Sequence, residues 1–136
     1  VQKVSLEAML LKPNMVISGI KCERPASVKE VALATLRCLG RHVPAAVPGI
    51  VFLSGGQNHL AATEHLSAIN QIDAPKPWKL SFSYGRALQD EALKAWHGKN
   101  ENVKAGQQTF YHRAKCDSAA ALGKYTGAME NEAAAA

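Results

Sequence analysis

Pro48-Gly-Ile-Val-Phe-Leu-Ser-Gly-Gly56 is the most informative stretch of the chain. Ile50 to Leu53 is a short, unbroken apolar run between Pro-Gly and Gly-Gly punctuation. A run of that length without alternation suits a strand covered on both faces, and such strands belong to parallel sheets with helical connections. Upstream, Pro25-Ala-Ser27 signals a helix start, with Ser27 as N-cap and Glu30 in the capping-box position. Val28, Val31, Ala32, Leu36 and Leu39 follow at near-helical spacing until Gly40 and Pro44 stop the run. Before that helix, residues 4–11 read as a strand that is buried at its end. Downstream, residues 59–69 read as a second helix, with Leu60, Ala61, His65, Leu66 and Ile69 on or near its inner face. Residues 78–83 read as a third strand. Residues 87–96 form a helix with Leu88, Ala92, Leu93 and Trp96 as its apolar stripe. Residues 100–122 form a longer helix lined by Val103, Phe110, Ala114 and Ala121.

Alternation of strand and helix implies an α/β fold with right-handed crossovers and a parallel sheet. The strand ends at Lys12, Ser54 and Arg86 are 42 and 32 residues apart. An eightfold barrel of ~250 residues averages roughly 30 residues per unit, so these spacings fit one. Three strands do not close a barrel. The chain is then either a small open sheet or the last part of a longer barrel. It opens on Val-Gln-Lys-Val without methionine, which suggests a fragment or a processed piece. Residues 1–122 are expected to hold the three βα units and a closing helix, and residues 123–136 a mobile tail.

Composition excludes several classes. The 136 residues are 47% hydrophobic and 20% charged, ordinary for a globular protein. No apolar run reaches membrane-spanning length and no leader opens the chain, so no membrane partner is expected. The net charge of +5 is spread along the chain without a basic stripe interleaved with aromatics, which argues against nucleic acid and suits anionic small molecules. Cys22, Cys38 and Cys116 make neither a disulfide framework nor a zinc pattern, and they read as reduced thiols of a cytoplasmic protein. His59 and His65 are six apart and face different ways on a helix. No metal site is expected.

In parallel α/β folds ligands sit at the carboxyl ends of the strands. In Glu7-Ala-Met-Leu-Leu-Lys-Pro-Asn-Met15, Lys12 ends an apolar run directly before a proline, which favours extended backbone. An apolar strand behind it is expected to lower its pKa and make the amine nucleophilic toward a carbonyl. Ser54-Gly55-Gly56 offers a hydroxyl and uncovered backbone N–H groups opening a helix, an arrangement that cradles phosphate. Ser83-Tyr-Gly85-Arg86 ends the next strand and brings a guanidinium suited to the same phosphate. The residues alone leave two readings open. One is a phosphosugar lyase working through a lysine Schiff base. The other is a surface lysine, an ordinary turn and a surface arginine.

Longer stretches carry a resemblance. Leu10-Leu-Lys-Pro-Asn-Met15, Gly49-Ile-Val-Phe-Leu-Ser-Gly-Gly-Gln57, Lys76-Pro-Trp78, Ser81-Phe-Ser-Tyr-Gly-Arg-Ala-Leu88, Leu93-Lys-Ala-Trp96 and Gly123-Lys-Tyr-Thr126 closely resemble class I fructose-bisphosphate aldolases, in order along almost the whole chain. The resemblance implies the C-terminal part of a TIM (β/α)8 barrel, from the Schiff-base lysine strand to the tail. It implies reversible cleavage of fructose 1,6-bisphosphate to dihydroxyacetone phosphate and glyceraldehyde 3-phosphate, without cofactor or metal. Lys12 matches the Schiff-base lysine. Ser54, Gly55 and Gly56 match the loop that holds the ketose phosphate, and Ser83, Gly85 and Arg86 match the other half of that site. A homotetramer is implied as well. The family's acid/base glutamate precedes this segment; Glu7 is not assigned that role. Many members end in a tyrosine that folds over the site, whereas this chain ends Glu132-Ala-Ala-Ala-Ala136, and Tyr125 matches an earlier position. Substrate preference between mono- and bisphosphate stays open. A transaldolase-like lyase, and a non-catalytic aldolase fragment acting as a binding protein, are the competing readings.

Overall fold

The computed structural model describes residues 3–132. In chain order it contains a 3-10 turn (Leu6–Ala8), β1 (Leu10–Leu11), α1 (Val28–His42), β2 (Gly49–Phe52), α2 (His59–Gln71), β3 (Lys79–Phe82) and α3 (Arg86–Trp96). A second 3-10 turn (Asn100–Asn102), α4 (Val103–Ala121) and a last 3-10 turn (Gly127–Asn131) complete it. The strands form one parallel sheet in the order β1-β2-β3, with Leu10 opposite Gly49 and Gly49 to Phe52 opposite Lys79 to Phe82. No described helix is long and apolar enough to cross a membrane.

Helix α1 starts where its capping box requires. The Ser27 hydroxyl accepts from the Glu30 N–H, and the Glu30 carboxylate accepts from the Ser27 N–H at 2.8 Å. At α2 the Asn58 side chain accepts from the Ala61 N–H at 2.8 Å. Past its far end, the Lys76 ammonium donates to the Ile72 and Asn70 carbonyls, as a cation at a helix C-terminus should. Ile50 and Phe52 of β2 share one face and are fully buried with Val31 of α1 and Leu66 and Ile69 of α2. Trp78 is buried beside this core, and its indole N–H donates to the Pro44 carbonyl at 3.0 Å. Helix α3 lies on α4 through Gly106, where a Cβ would meet Trp96 Cβ at 2.9 Å.

Several expectations are corrected. The first strand is two residues long rather than eight, because only Leu10 and Leu11 find a ladder partner and residues 6–8 curl into a 3-10 turn. Its end is not buried: Leu10 is 61% exposed, and the side of β1 away from β2 is unpaired among the described residues. Val51 is only half-buried, so β2 is covered on one face and not on both. On α3, Leu93 and Trp96 are exposed and line a groove with Val103 and Phe110. Helix α4 turns Gly106, Arg113, Cys116, Asp117 and Ala120 inward, in place of the expected Val103, Phe110, Ala114 and Ala121 stripe. Residues 123–132, expected as part of a mobile tail, are packed: Tyr125 is buried and Glu130 pairs with Arg113. Residues 133–136 of that expected tail lie outside the described residues.

Candidate active site

The parallel ladder continues past the formal strand ends. The Leu53 N–H donates to the Pro13 carbonyl at 3.0 Å and the Ser83 N–H to the Phe52 carbonyl at 2.8 Å. Lys12, the Ser54 loop and Ser83 therefore leave the sheet at one edge, the carboxyl edge of all three strands. Gly85 and Arg86 follow directly at the start of α3.

The Ser54-Gly55-Gly56-Gln57 turn closes through the Gln57 N–H on the Ser54 carbonyl at 3.0 Å. Gly55 (φ 57°) and Gly56 (φ 85°) both lie in the left-handed region, where side chains are disfavoured. At Gly55 space forbids one as well, since a Cβ would sit 2.1 Å from Asn14 Oδ1. At Gly56 a Cβ would meet nothing within 4 Å, so that backbone faces open space. The loop does not itself open a helix: α2 begins at His59 and its first turn is already capped by Asn58. Helix α3, at the same edge, starts without a side-chain cap. Gly85 has no side chain to cap it, and Arg86 is its first residue, exposed. The dipole expected from the helix after Ser-Gly-Gly thus belongs to the helix after Gly-Arg.

Lys12 differs from its expected setting. It is exposed, and Leu11 behind it is only half-buried, so the described residues do not supply an apolar environment for the amine. The apolar groove of about 440 Å³ between α3 and α4 and the cavity of about 480 Å³ near Lys76 and Ser81 are both lined by other residues than the candidates. The candidate residues share an edge and do not line either hollow.

A second polar cluster has no signature in local sequence. Arg113, 5% exposed, donates from both terminal guanidinium nitrogens to Glu130, and Tyr125 donates to Glu130 Oε1 at 2.8 Å. Burial works against the Glu130 charge, but the Arg113 and Tyr125 bonds outweigh it and hold its pKa below the usual carboxylate range. Thr63 accepts from Arg113 at 3.2 Å, lies 2.6 Å from Asp117 Oδ1 and donates to the His59 carbonyl at 2.7 Å. Asp117 is fully buried with Oδ2 unpartnered, and burial pushes its pKa up to about 6, only partly offset by Thr63 and Arg113. The single Thr63 hydroxyl proton faces two acceptors, the His59 carbonyl and Asp117 Oδ1; below about pH 6, where Asp117 is neutral, its own proton serves the Thr63 contact and leaves the hydroxyl proton to His59.

Among the described residues, His112, Cys116 and Glu130 also bring ligand-type atoms within 4.8 Å of one another, which no sequence spacing announced. Glu130 is already bound by Arg113 through both oxygens, and a dication there would face the guanidinium directly. Burial raises the Cys116 thiol to about 11. The cluster works as a clasp between α4 and the C-terminal segment.

Three parallel βα units with polar groups at their carboxyl edge fit a part of a (β/α)8 barrel as well as a small open sheet, and similarity to known proteins decides between them. The sequence model of "Fructose-bisphosphate aldolase class-I" matches residues 1–136. A fructose-bisphosphate aldolase of Echinococcus multilocularis is 56% identical over 96% of this chain and 36% of its own length. Fructose-bisphosphate aldolase 1, chloroplastic, of Arabidopsis thaliana is 54% identical over 96% of the chain and 32% of its own. A solved Plasmodium falciparum fructose-bisphosphate aldolase, in complex with TRAP and a small molecule inhibitor, superposes with a TM-score of 0.89 at 48% identity. That match covers 92% of this chain and 36% of the solved one. The chain belongs to the class I fructose-bisphosphate aldolase family. It spans about a third of the length of the relatives it matches.

Proposed function

We infer that this chain is the C-terminal portion of an aldolase that reversibly cleaves fructose 1,6-bisphosphate to dihydroxyacetone phosphate and glyceraldehyde 3-phosphate in glycolysis. The observation that carries the reading is the common exit of Lys12, Ser54 and Ser83 at one sheet edge, in a chain matched by the family from first residue to last. Lys12 attacks the ketose carbonyl and, with loss of water, forms an iminium. The iminium accepts the electron pair left when the C3–C4 bond breaks, and the aldehyde departs. Ser54, Gly55 and Gly56 hold the ketose phosphate from one side; Ser83, Gly85 and Arg86 hold it from the other, with the uncapped start of α3 adding positive potential.

Catalytic completeness belongs to the whole barrel. Lys12 is exposed here and its strand is paired on one side only, so the remaining strands must supply the dry wall that favours a neutral amine. None of the 136 residues is assigned as the general acid/base. Residues 1–122 form the last βα units and closing helix of that barrel, and a homotetramer is carried over from the family resemblance. A cytoplasmic setting suits three free thiols, two of them exposed, although one relative is named chloroplastic. Lys12→Arg tests the reading: a guanidinium stays charged and forms no imine, so the full-length variant should fold normally and lose turnover. Retained turnover, or turnover abolished by EDTA, would contradict it.

A further inference from the structure

We propose that Gln57 and His65 are positioning residues that lock the Ser54-Gly55-Gly56 loop and join it to the segment leaving Lys12. The proposal deepens the functional reading above and rests on it.

The Ser54 carbonyl is held twice by one residue. It accepts from the Gln57 backbone N–H at 3.0 Å and from the Gln57 side-chain amide at 2.9 Å. The same amide nitrogen reaches Met15 Sδ at 3.8 Å, and Met15 is buried three residues past Lys12. With its nitrogen committed to Ser54, the amide turns its oxygen toward His65, 2.5 Å from Nδ1. Two acceptors do not face each other at that distance, so Nδ1 carries the proton and donates. His65 thereby fixes which way the amide points, and the amide fixes the loop.

Two further contacts make the loop and the lysine segment one body. The Leu53 N–H donates to the Pro13 carbonyl. The Asn14 side chain fills the space where a side chain on Gly55 would stand, with its Oδ1 accepting from the Met15 N–H at 2.9 Å. The chain 12–15 and the loop 54–57 are thus packed directly and bridged by Gln57. A glycine turn has wide backbone freedom of its own, and a phosphate site built from it needs such external restraint to stay in shape. His65 lies on α2, so a rigid element provides the reference.

The test uses the full-length protein and steady-state cleavage of fructose 1,6-bisphosphate, with inorganic phosphate as competing anion. Loss of one restraining hydrogen bond should raise KM and the phosphate inhibition constant together by about three- to tenfold, with a smaller change in kcat. His65→Leu fills the volume without a donor and should show that loss. His65→Asn places an N–H one bond from Cγ, as Nδ1 is, and should restore most of it. A merely space-filling role would reverse the two, with leucine the milder change. Gln57→Met also removes the side-chain bond to the Ser54 carbonyl, so it should raise KM at least as much as His65→Leu, and it serves alone should His65→Leu fail to fold. An unmoved KM in Gln57→Met, or asparagine as impaired as leucine at 65, would overturn the proposal. Borohydride trapping of an imine on Lys12 in the unsubstituted protein separates the two levels. Trapping with an unmoved KM refutes the positioning role alone, whereas no trapping refutes the Schiff-base reading beneath it.

Discussion

Asp117 shows at the scale of one residue how a buried charge sets a pH dependence. Its pKa of about 6 lies above the ordinary carboxylate value because burial disfavours the charged form. The folded state therefore binds the proton more tightly than the unfolded chain does. The stability this adds is complete below about pH 4 and is lost as pH rises through about 6, amounting to about 3 kcal/mol at full effect. Asp117→Asn keeps the shape and a donor toward Thr63 without the charge. In urea denaturation the variant should be more stable than the parent at pH 7.5 and equal to it near pH 4; lower stability at pH 7.5 would contradict the assignment. None of this was legible from Cys116-Asp-Ser118, a polar stretch on a helix that reads as solvent-facing. Its partner Thr63 stands 54 residues away, and such pairings have no local signature. Lys12 and the glycines of the 54–56 loop were legible because proline and glycine restrict or free the backbone locally.

Elements divide along the same line. The capping box of α1 and the Gly-Pro punctuation around β2 are local chemistry, and the structure follows them. Strand β1 was read too long because an apolar run marks a candidate strand, whereas a strand exists only where a neighbour completes the ladder. The inner face of α4 was misread because its apolar residues suggest one stripe while Arg113, Cys116 and Asp117 are turned inward by partners on other elements. The packing of residues 123–132 follows from the same clasp. Glu130 has a depressed pKa, so the stability it adds is present above the ordinary carboxylate pKa and is lost as pH falls below it. Glu130→Gln removes the charge opposite nearly buried Arg113 and should cost about 2–4 kcal/mol, with faster hydrogen exchange confined to residues 125–131. Uniform loosening of the whole chain, or none, would show that the segment is held by other contacts.

For the whole molecule the question is how three strand ends become one site. Parallel connection sends every strand end to one edge, so residues 42 and 32 positions apart leave the strands on the same side of the sheet. That order was readable; the environment of Lys12 was not, since it depends on what packs on β1, and among the described residues β1 is paired on one side only. Arg86 begins α3 and is exposed, so Arg86→Ala should leave stability within about 0.5 kcal/mol of the parent. In the full-length protein its KM for the bisphosphate should rise at least tenfold, the effect of losing a charge-assisted contact to phosphate. An unchanged KM would remove Arg86 from the site.

The most direct measurement is borohydride reduction of the full-length protein in the presence of dihydroxyacetone phosphate, followed by intact mass and peptide mapping. One reduced adduct per chain is expected, on Lys12, and none in Lys12→Arg. An adduct on another lysine, or none on a chain that cleaves fructose 1,6-bisphosphate, would contradict the Schiff-base role of Lys12.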